Sequence, residues 1–362
     1  MLDNLLSFLK IPSAGGTILG VDIGTVSIKA VEISPQGGRP VLTNYGMIEV
    51  EGYLERSNSV IQTSSLRMDD DEAAKLLREL ITRMGVKTKQ AVAVIPSFTS
   101  FTSLIDLPAM SDKELEQAVP YQAQSLVPLP MSDVTVDWTV VGTYEDEKGA
   151  QKQQVLLISI PNEQIESYQS VFKKAGLKLK MIEIEGLSLS RALSHKVPGE
   201  TLIIDIGAFT TTITIAAGGL LQVVSQTDFA GNSLTQSLVK GLGISPRRAE
   251  ALKRQRGLSG MTGEYGLSTL MLPFVDVILS EAKRVRDTFE SKHKKKIDNV
   301  LISGGGGDLV GLSEYVSAQL GIPTEKGDPF REISYSPQIA PLAKNIASRF
   351  SVAIGAGAKT FF

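Results

Sequence analysis

The sequence has no cysteine and only two histidines, His195 and His293, among its 362 residues. The absence of cysteine excludes disulfides, thiolate metal sites and a cysteine nucleophile. Neither histidine has a recognisable catalytic partner beside it in the sequence. Metalloenzymes and enzymes with a catalytic triad are therefore disfavoured classes.

The sequence also has no basic surplus and no long apolar run. Its formal net charge is -2, which argues against nucleic acid as the main partner, because neutralising phosphates requires an excess of lysine and arginine. No run of about 18 apolar residues is present, so no membrane-spanning helix is predicted. The first residues lack the basic start and long apolar core of a secretory signal, so we expect a cytoplasmic protein.

The composition that is present is ordinary for a globular α/β protein. Hydrophobic residues make up 42% of the chain and charged residues 21%, and the length allows two or more domains. Residues 2–9 place leucines at the spacing of one apolar helix face, and Pro12 ends that helix. Residues 1–16 are therefore predicted to form an amphipathic segment that either touches a membrane surface or partner, or packs on its own domain.

An Asp-x-Gly turn between two apolar strands occurs twice, as Asp22-Ile23-Gly24 and as Asp205-Ile206-Gly207. Glycine lets the backbone approach a polyphosphate, and successive N–H groups bind anions. Hydroxyl donors and a cation follow the first copy, and its aspartate can hold magnesium through water. One copy could reflect turn chemistry alone. Two copies predict two similar halves that face one ligand.

A third motif is the glycine-rich stretch at residues 302–309. It predicts a strand, a tight turn and a helix start, which is a geometry that brings the backbone against a nucleotide. The same pattern can open a Rossmann fold, but too little chain follows to build the two halves of that fold. Earlier in the chain, residues 231–253 predict a helix in two pieces, with Glu250 and Lys253 one turn apart on one face.

Residues 90–181 follow a different pattern, in which strands and helices alternate as in a compact α+β module. Ser111 and Glu114 form a predicted capping box within it. The acidic run at residues 69–72 is predicted to cap a helix rather than to bind a metal, since acidic side chains suit a helix start. The lysines at residues 292–296 are interpreted as a solvated helix end rather than a lipid or nucleic-acid contact.

Taken in this order, the motifs resemble the actin, hexokinase and heat-shock chaperone ATPase superfamily. The resemblance implies an α/β, actin-like (ribonuclease H-like duplicated) two-lobed ATPase fold that binds ATP and Mg2+. Asp22 and Asp205 would hold Mg2+ through water, and residues 183–192 and 350–358 would be the connecting helices at the hinge. The implied nucleotide-binding residues are Gly24, Thr25, Val26, Ser27, Lys29, Asp205, Gly207, Ala208, Thr210, Gly231, Glu250, Lys253, Gly304, Gly305, Gly306 and Asp308.

Within that superfamily, the inserted module resembles the SHS2-type subdomain of the cell-division FtsA and type IV pilus PilM families. PilM is the closer match, through the segments 118–121, 126–128, 302–306 and 327–330 and through Glu185. The implied domains are an N-terminal segment (1–16), subdomain 1A (17–89 and 182–200), the SHS2-type subdomain 1C (90–181) and a second actin-like domain 2A/2B (201–362).

The resemblance to PilM implies a cytoplasmic ATP-binding scaffold that is peripheral to the inner membrane through its partner. The implied partner is the N-terminal cytoplasmic peptide of a PilN-like membrane protein, bound between the insert and residues 20–84. Coupling to the pilus motor ATPases is implied as well, and homo-oligomer formation is left open.

The chain departs from the superfamily pattern where strong ATPases often carry Asp or Gly. Ala208, Phe209 and Ala230 occupy those positions. Hydrolysis needs a polar group that orients water, and Glu185 is the candidate, although it can equally be a hinge residue. We therefore expect nucleotide binding with weak or no turnover.

Two alternatives remain at the level of sequence. One is an FtsA-like, filament-forming cytoskeletal protein that associates with the membrane. The other is a small-molecule kinase, which needs an acidic general base. Asp106 and Asp133 are its candidates, both expected in loops.

Overall fold

The computed structural model describes residues 16–50, 68–146, 148–258 and 267–362. The helix predicted over residues 2–9 lies outside the described residues. The strands, in chain order, are β1 (Ile18–Ile23), β2 (Ser27–Gln36), β3 (Arg39–Glu49), β4 (Gln90–Ile95), β5 (Phe101–Pro108), β6 (Val134–Glu145), β7 (Gln151–Pro161), β8 (Lys178–Ile184), β9 (Glu200–Ile206), β10 (Thr211–Ala217), β11 (Leu220–Thr227), β12 (Ile297–Ser303), β13 (Thr324–Lys326) and β14 (Ser334–Tyr335).

The helices of the described residues pack around these strands, and none of them is long and apolar enough to cross a bilayer. They are α1 (Asp70–Met84), α2 (Asp112–Leu126), α3 (Asn162–Lys174), α4 (Glu185–Ser194), α5 (Gly231–Leu242), α6 (Pro246–Arg256), α7 (Leu267–His293), α8 (Leu312–Leu320) and α9 (Ala343–Gly357).

Two sheets share one plan. The first has the order β14-β3-β2-β1-β4-β8, and the second has the order β11-β10-β9-β12-β13. In each sheet the first three strands along the chain form an antiparallel meander, and the next two strands follow in parallel beside the first one. The short β14 pairs in parallel with β3 at the other edge of the first sheet. The duplication predicted from the two Asp-x-Gly turns is therefore present in the backbone pairing.

The central strands are apolar because both of their faces are covered. All residues of β9 are buried. Helices α1 and α3 cover one face of the first sheet, while α9 packs on β1 and β2 from the other face. A smaller apolar cluster that includes Leu189, Ile203 and Val352 fills the space between the two sheets, where α4 and α9 cross.

Helix α1 begins where the acidic run predicts. Asp69 accepts hydrogen bonds from the N–H groups of Asp71 at 2.9 Å and Glu72 at 3.3 Å. The helix ends at Gly85, whose φ of 63° lies in the left-handed region that favours glycine. The capping role of the acidic residues is confirmed.

The insert is a three-stranded antiparallel sheet, β5-β7-β6, with α2 packed on it. The Ser111–Glu114 capping box is present at the start of α2. The predicted boundaries of the insert, residues 90–181, wrongly include β4 and most of β8. These two strands pair in parallel within the first sheet rather than with the insert. Asp106 lies in β5 rather than in a loop, and its carboxylate accepts from Gln154 at 3.3 Å.

Candidate functional site

The two Asp-x-Gly hairpins have the same turn. The N–H of Gly24 donates to the carbonyl of Ser27 at 3.0 Å, and the N–H of Gly207 donates to the carbonyl of Thr210 at 3.0 Å. The strand pairing places Asp22 opposite Lys29. The matching pairing in the second hairpin places Asp205 opposite Thr212. The two hairpins therefore present matched aspartates but only one cation.

The glycine turn after β12 packs directly on the second hairpin. A Cβ on Gly304 would lie 2.4 Å from the carbonyl oxygen of Ile206, and one on Gly306 would lie 2.4 Å from the Ile206 side chain. Gly304 also has a φ of 80°. Nothing lies within 4 Å of a Cβ built on Gly305, which borders the cavity. Packing against Ile206 thus requires glycine at positions 304 and 306, whereas position 305 faces open space.

Two adjoining cavities lie between the hairpins. The large cleft has an empty volume of about 1110 Å³, including its solvent-open part. It is lined by Val26, Ser27, Lys29, Met47, Glu49, Gly207, Ala208, Gly231, Asn232, Leu234, Glu250, Lys253, Arg254, Gly305, Gly306, Asp308, Leu309 and Arg349. The carboxylate chamber, of about 560 Å³, is lined by Asp22, Ile23, Gly24, Thr25, Lys29, Val94, Ile95, Pro96, Phe98, Glu185, Asp205, Thr210, Gly304, Arg349 and Val352.

In the large cleft, α6 is joined to the start of α5 by one buried lysine. Lys253 donates to the carbonyl of Gly231 at 2.8 Å and to the hydroxyl of Thr235 at 2.9 Å, and it lies 2.7 Å from Glu250. Burial lowers the pKa of Lys253. Burial would raise the pKa of Glu250, but the charge and hydrogen bond of Lys253 lower it. This pair forms a polar wall of the cleft.

In the carboxylate chamber, three acidic side chains meet one hairpin lysine. Lys29 donates to Asp22 at 3.0 Å. Burial would lower the pKa of Lys29, but the charge and hydrogen bond of Asp22, with smaller contributions from Asp205 and Glu185, raise it. Thr212 donates to Glu185 at 2.6 Å.

Burial and the charge of Asp205 raise the pKa of Glu185 to about 8, although the hydrogen bond from Thr212 opposes this. Burial also raises the pKa of Asp205, to about 6. One oxygen of Asp205 is buried and has no hydrogen-bond partner in the part of the chain that the structure describes. Burial and the closeness of the carboxyl groups in the chamber therefore favour their protonated forms.

All of the residues predicted for nucleotide, magnesium and catalysis line one of these two cavities. Asn232 and Arg349 are among the lining residues that sequence reasoning missed. The amide nitrogen and oxygen of Asn232 are both buried, and neither has a hydrogen-bond partner within the described ranges. Asn232 directly follows the predicted Gly231, which is the one local signal that could have indicated it.

Comparison with known proteins identifies the family. Residues 20–361 match the family described as type IV pilus assembly protein PilM. The chain belongs to this family. The resemblance noted in the sequence is confirmed, and type IV pilus assembly is the process in which this family acts. The filament-forming and kinase alternatives are not favoured by this match.

Solved structures confirm the actin-like fold. A PilM–PilN type IV pilus biogenesis complex has a TM-score of 0.76 at 20% identity, covering 97% of this chain and 100% of that chain. The ethanolamine utilization protein EutJ from Carboxydothermus hydrogenoformans has a TM-score of 0.54 at 17% identity, covering 99% and 95%. MreB5 of Spiroplasma citri bound to ADP has a TM-score of 0.50 at 16% identity, covering 95% of each chain.

Proposed function

We propose that this member of the PilM family is an ATP-binding scaffold of the type IV pilus inner-membrane platform. ATP would occupy the large cleft and the carboxylate chamber. The observation that carries this proposal is the pair of matched Gly24 and Gly207 turns on either side of the two cavities. The MreB5 structure of this fold contains ADP.

The polar groups left without partners fit such a ligand. The buried amide of Asn232 and the free oxygen of Asp205 lie in the two cavities. Backbone N–H groups at the hairpin tips can bind phosphates. The adenosine would bind on the side of the large cleft that Gly305 borders, which we call the Gly305 face. The Glu250–Lys253 pair would contact the ribose.

Mg2+ fits the chamber through water rather than by direct ligation. Carboxylate oxygens are ligands that Mg2+ accepts while it keeps several waters. Among the described residues, no group of three or more acidic or histidine side chains is arranged to hold a metal directly. Asp22 and Asp205 would hold the hydrated ion, which when bound would neutralise phosphate charge. The raised pKa of Asp205 is consistent with a place for a cation.

We expect weak turnover at this site. Glu185 is the candidate for orienting a water. Its pKa is raised to about 8, so the carboxyl group is mostly protonated at neutral pH and is then unable to accept a proton. The tip of the second hairpin carries Ala208 and Phe209, which offer no polar side chain to a γ-phosphate. ATP would therefore serve to set the shape of the protein more than to be consumed.

Replacing Gly305 with valine is expected to abolish Mg-ATP binding while leaving thermal stability nearly unchanged. A Cβ at this position meets open space among the described residues, so a larger side chain would extend into the large cleft. Isothermal titration with Mg-ATP, and the thermal shift that ATP produces, measure the effect. Ala318→Val on the exposed face of α8 is the matched control. Unchanged ATP affinity in Gly305→Val would contradict the proposed site.

A third cavity, the insert groove, is the proposed site for the N-terminal peptide of a PilN-like membrane protein. It lies between α1, α3 and the turn before β5 and has an empty volume of about 470 Å³. It is lined by Ile23, Gly24, Thr25, Met68, Asp70, Ala73, Pro96, Phe98, Thr99, Gln164, Ser167, Tyr168 and Val171. Through this partner the protein would be peripheral to the inner membrane, in the cytoplasm, and would couple to the pilus motor ATPases.

The insert groove and the carboxylate chamber share one wall. Ile23, Gly24 and Thr25 of the first hairpin border both cavities, together with Pro96 and Phe98. A ligand that changes the hairpin tip therefore also changes the groove. ATP would act through different affinities for two groove shapes.

Gln164→Trp is expected to weaken binding of that peptide at least tenfold, because the indole would fill the groove next to Tyr168. Glu163→Trp is the matched control, since Glu163 is exposed on the same helix and does not line the groove. Fluorescence anisotropy with the labelled peptide measures both variants. Equal affinities in the two variants would place the peptide elsewhere.

A further inference from the structure

Two cations lie where the large cleft meets the carboxylate chamber. Of the residues that line these cavities, Lys29 and Arg349 border both. Lys29 comes from β2 of the first hairpin, and Arg349 comes from α9. A polyphosphate that runs from the Gly305 face toward Asp22 would pass between these two side chains.

The second hairpin lacks a cation of its own. The position in β10 that corresponds to Lys29 is occupied by Thr212, which donates to Glu185. The phosphates would therefore meet a lysine on the first hairpin and only neutral groups and carboxylates on the second hairpin. The cations that α6 adds to the large cleft, Lys253 and Arg254, are both paired with Glu250. Electrostatic binding of a polyphosphate favours cations on both sides.

Helix α9 is fixed to the second side at the point where Arg349 emerges. The carbonyl of the preceding residue, Ser348, accepts from the N–H of Gly304 at 3.0 Å and from the hydroxyl of Ser303 at 3.1 Å. The backbone next to Arg349 is thus held by β12 and by the glycine turn, which border Asp205. Arg349 is the cation that α9 supplies to this side of the chamber.

The guanidinium is loosely held in the structure. Its Nε lies 3.4 Å from Asp308, within ion-pair distance, yet it is buried and has no hydrogen-bond partner among the described residues. Asp308 is already hydrogen bonded to Ser348 at 2.9 Å and lies 3.4 Å from Lys326. Asp308 therefore does not depend on Arg349 for neutralisation, and the donors of Arg349 remain available to a ligand.

We propose that Arg349 is the second phosphate-binding cation of this site and donates to the nucleotide polyphosphate from the side opposite Lys29. This inference rests on the proposed ATP site. The planar guanidinium presents several N–H donors in a fixed geometry that matches phosphate oxygens, so one arginine can contact two of them. The ion pair with Asp308 holds the side chain close to the proposed path of the phosphates.

The test compares Mg-ATP and adenosine binding to the full chain by isothermal titration. Arg349→Met is expected to weaken Mg-ATP binding about ten- to a hundredfold, the effect of removing one or two charge-assisted hydrogen bonds. Adenosine affinity should change less than about twofold, because adenosine has no phosphate. Arg349→Lys should recover part of the ATP affinity, since lysine restores the positive charge but not the planar set of N–H donors.

Lys326→Met is the matched control. Lys326 is the other cation beside Asp308, but it borders neither cavity, so its ATP affinity should stay within about twofold of the wild type. An equal loss in both variants would show that Arg349 acts only through Asp308 and would overturn the inference. A parallel loss of adenosine binding in Arg349→Met, or unchanged ATP binding, would also overturn it. Absence of Mg-ATP binding in the wild type would instead contradict the proposed ATP site.

Discussion

Glu183→Gln is expected to lower the free energy of unfolding by about 3 to 5 kcal/mol, the cost of breaking a buried ion pair from one side. The carboxylate of Glu183 is fully buried and accepts from Arg191 at 2.8 and 3.0 Å and from Lys359 at 2.9 Å. Ser188 donates to it as well. Glutamine would remove the negative charge that both Lys359 and Arg191 contact, and urea-induced unfolding measures the loss.

The position of this cluster explains why the effect should be large. Glu183 ends β8 of the first sheet, Arg191 lies on α4, and Lys359 follows α9. Arg191 also donates to the carbonyl of Gly355 at 2.8 Å. One carboxylate thus joins the two helices that cross between the sheets.

The same carboxylate gives the stability of the protein a defined pH dependence. Burial would raise the pKa of Glu183, but the charges of Arg191 and Lys359 lower it from 4.5 to about 2. Its contribution is therefore complete above pH 4.5 and is lost as the pH falls toward 2. Glu183→Gln should lose less stability than the wild type across this interval.

A matched control shows how much of the loss of stability depends on the burial of the ion pair. Glu79→Gln removes an exposed pair with Arg83 on α1 and should cost less than about 1 kcal/mol. Adding Lys359→Met to Glu183→Gln should recover part of the loss, because the buried positive charge that Glu183 contacts is then removed as well. A cost below about 1 kcal/mol for Glu183→Gln would contradict the buried-pair argument.

Gly355→Ala is expected to destabilise the fold by at least about 1 to 3 kcal/mol, the usual range for overpacking. A Cβ on Gly355 would lie 2.0 Å from the carbonyl oxygen of Ser188. Backbone cannot move aside as a side chain can, so α4 and α9 would have to separate. Thermal unfolding measures the change.

Gly305→Ala is the control for this substitution, because a Cβ there has nothing within 4 Å. It should leave the unfolding temperature nearly unchanged. If Gly355→Ala is as stable as Gly305→Ala, the close crossing of α4 and α9 is not required for folding. The separation of the helices would also draw the Arg191 donor away from the Gly355 carbonyl, so the two effects should not be additive with Glu183→Gln.

Much of the fold could be predicted from the sequence because its signals are local. The Asp-Ile-Gly turns indicated both hairpins, since a glycine turn between alternating strands needs only neighbouring residues. The Asp69 and Ser111 caps were predicted for the same reason, because a cap forms within one helical turn. Two copies of one motif also indicated the duplicated sheets and the cavity between them.

The tertiary structure decided the features that depend on residues far apart in the chain. Strands β4 and β8 have ordinary strand sequences, and only their long-range pairing assigns them to the first sheet rather than to the insert. The buried contact of Glu183 with Lys359 joins residues 176 positions apart. Arg349 carries no local motif, and it borders the cavities only because α9 returns between the two sheets. The sequence by itself determined the two Asp-x-Gly turns and the family, because those signals are short in range. Long-range packing decided which charged side chains contact each other, because neighbouring residues in the sequence indicate neither the burial of a side chain nor its distant partner.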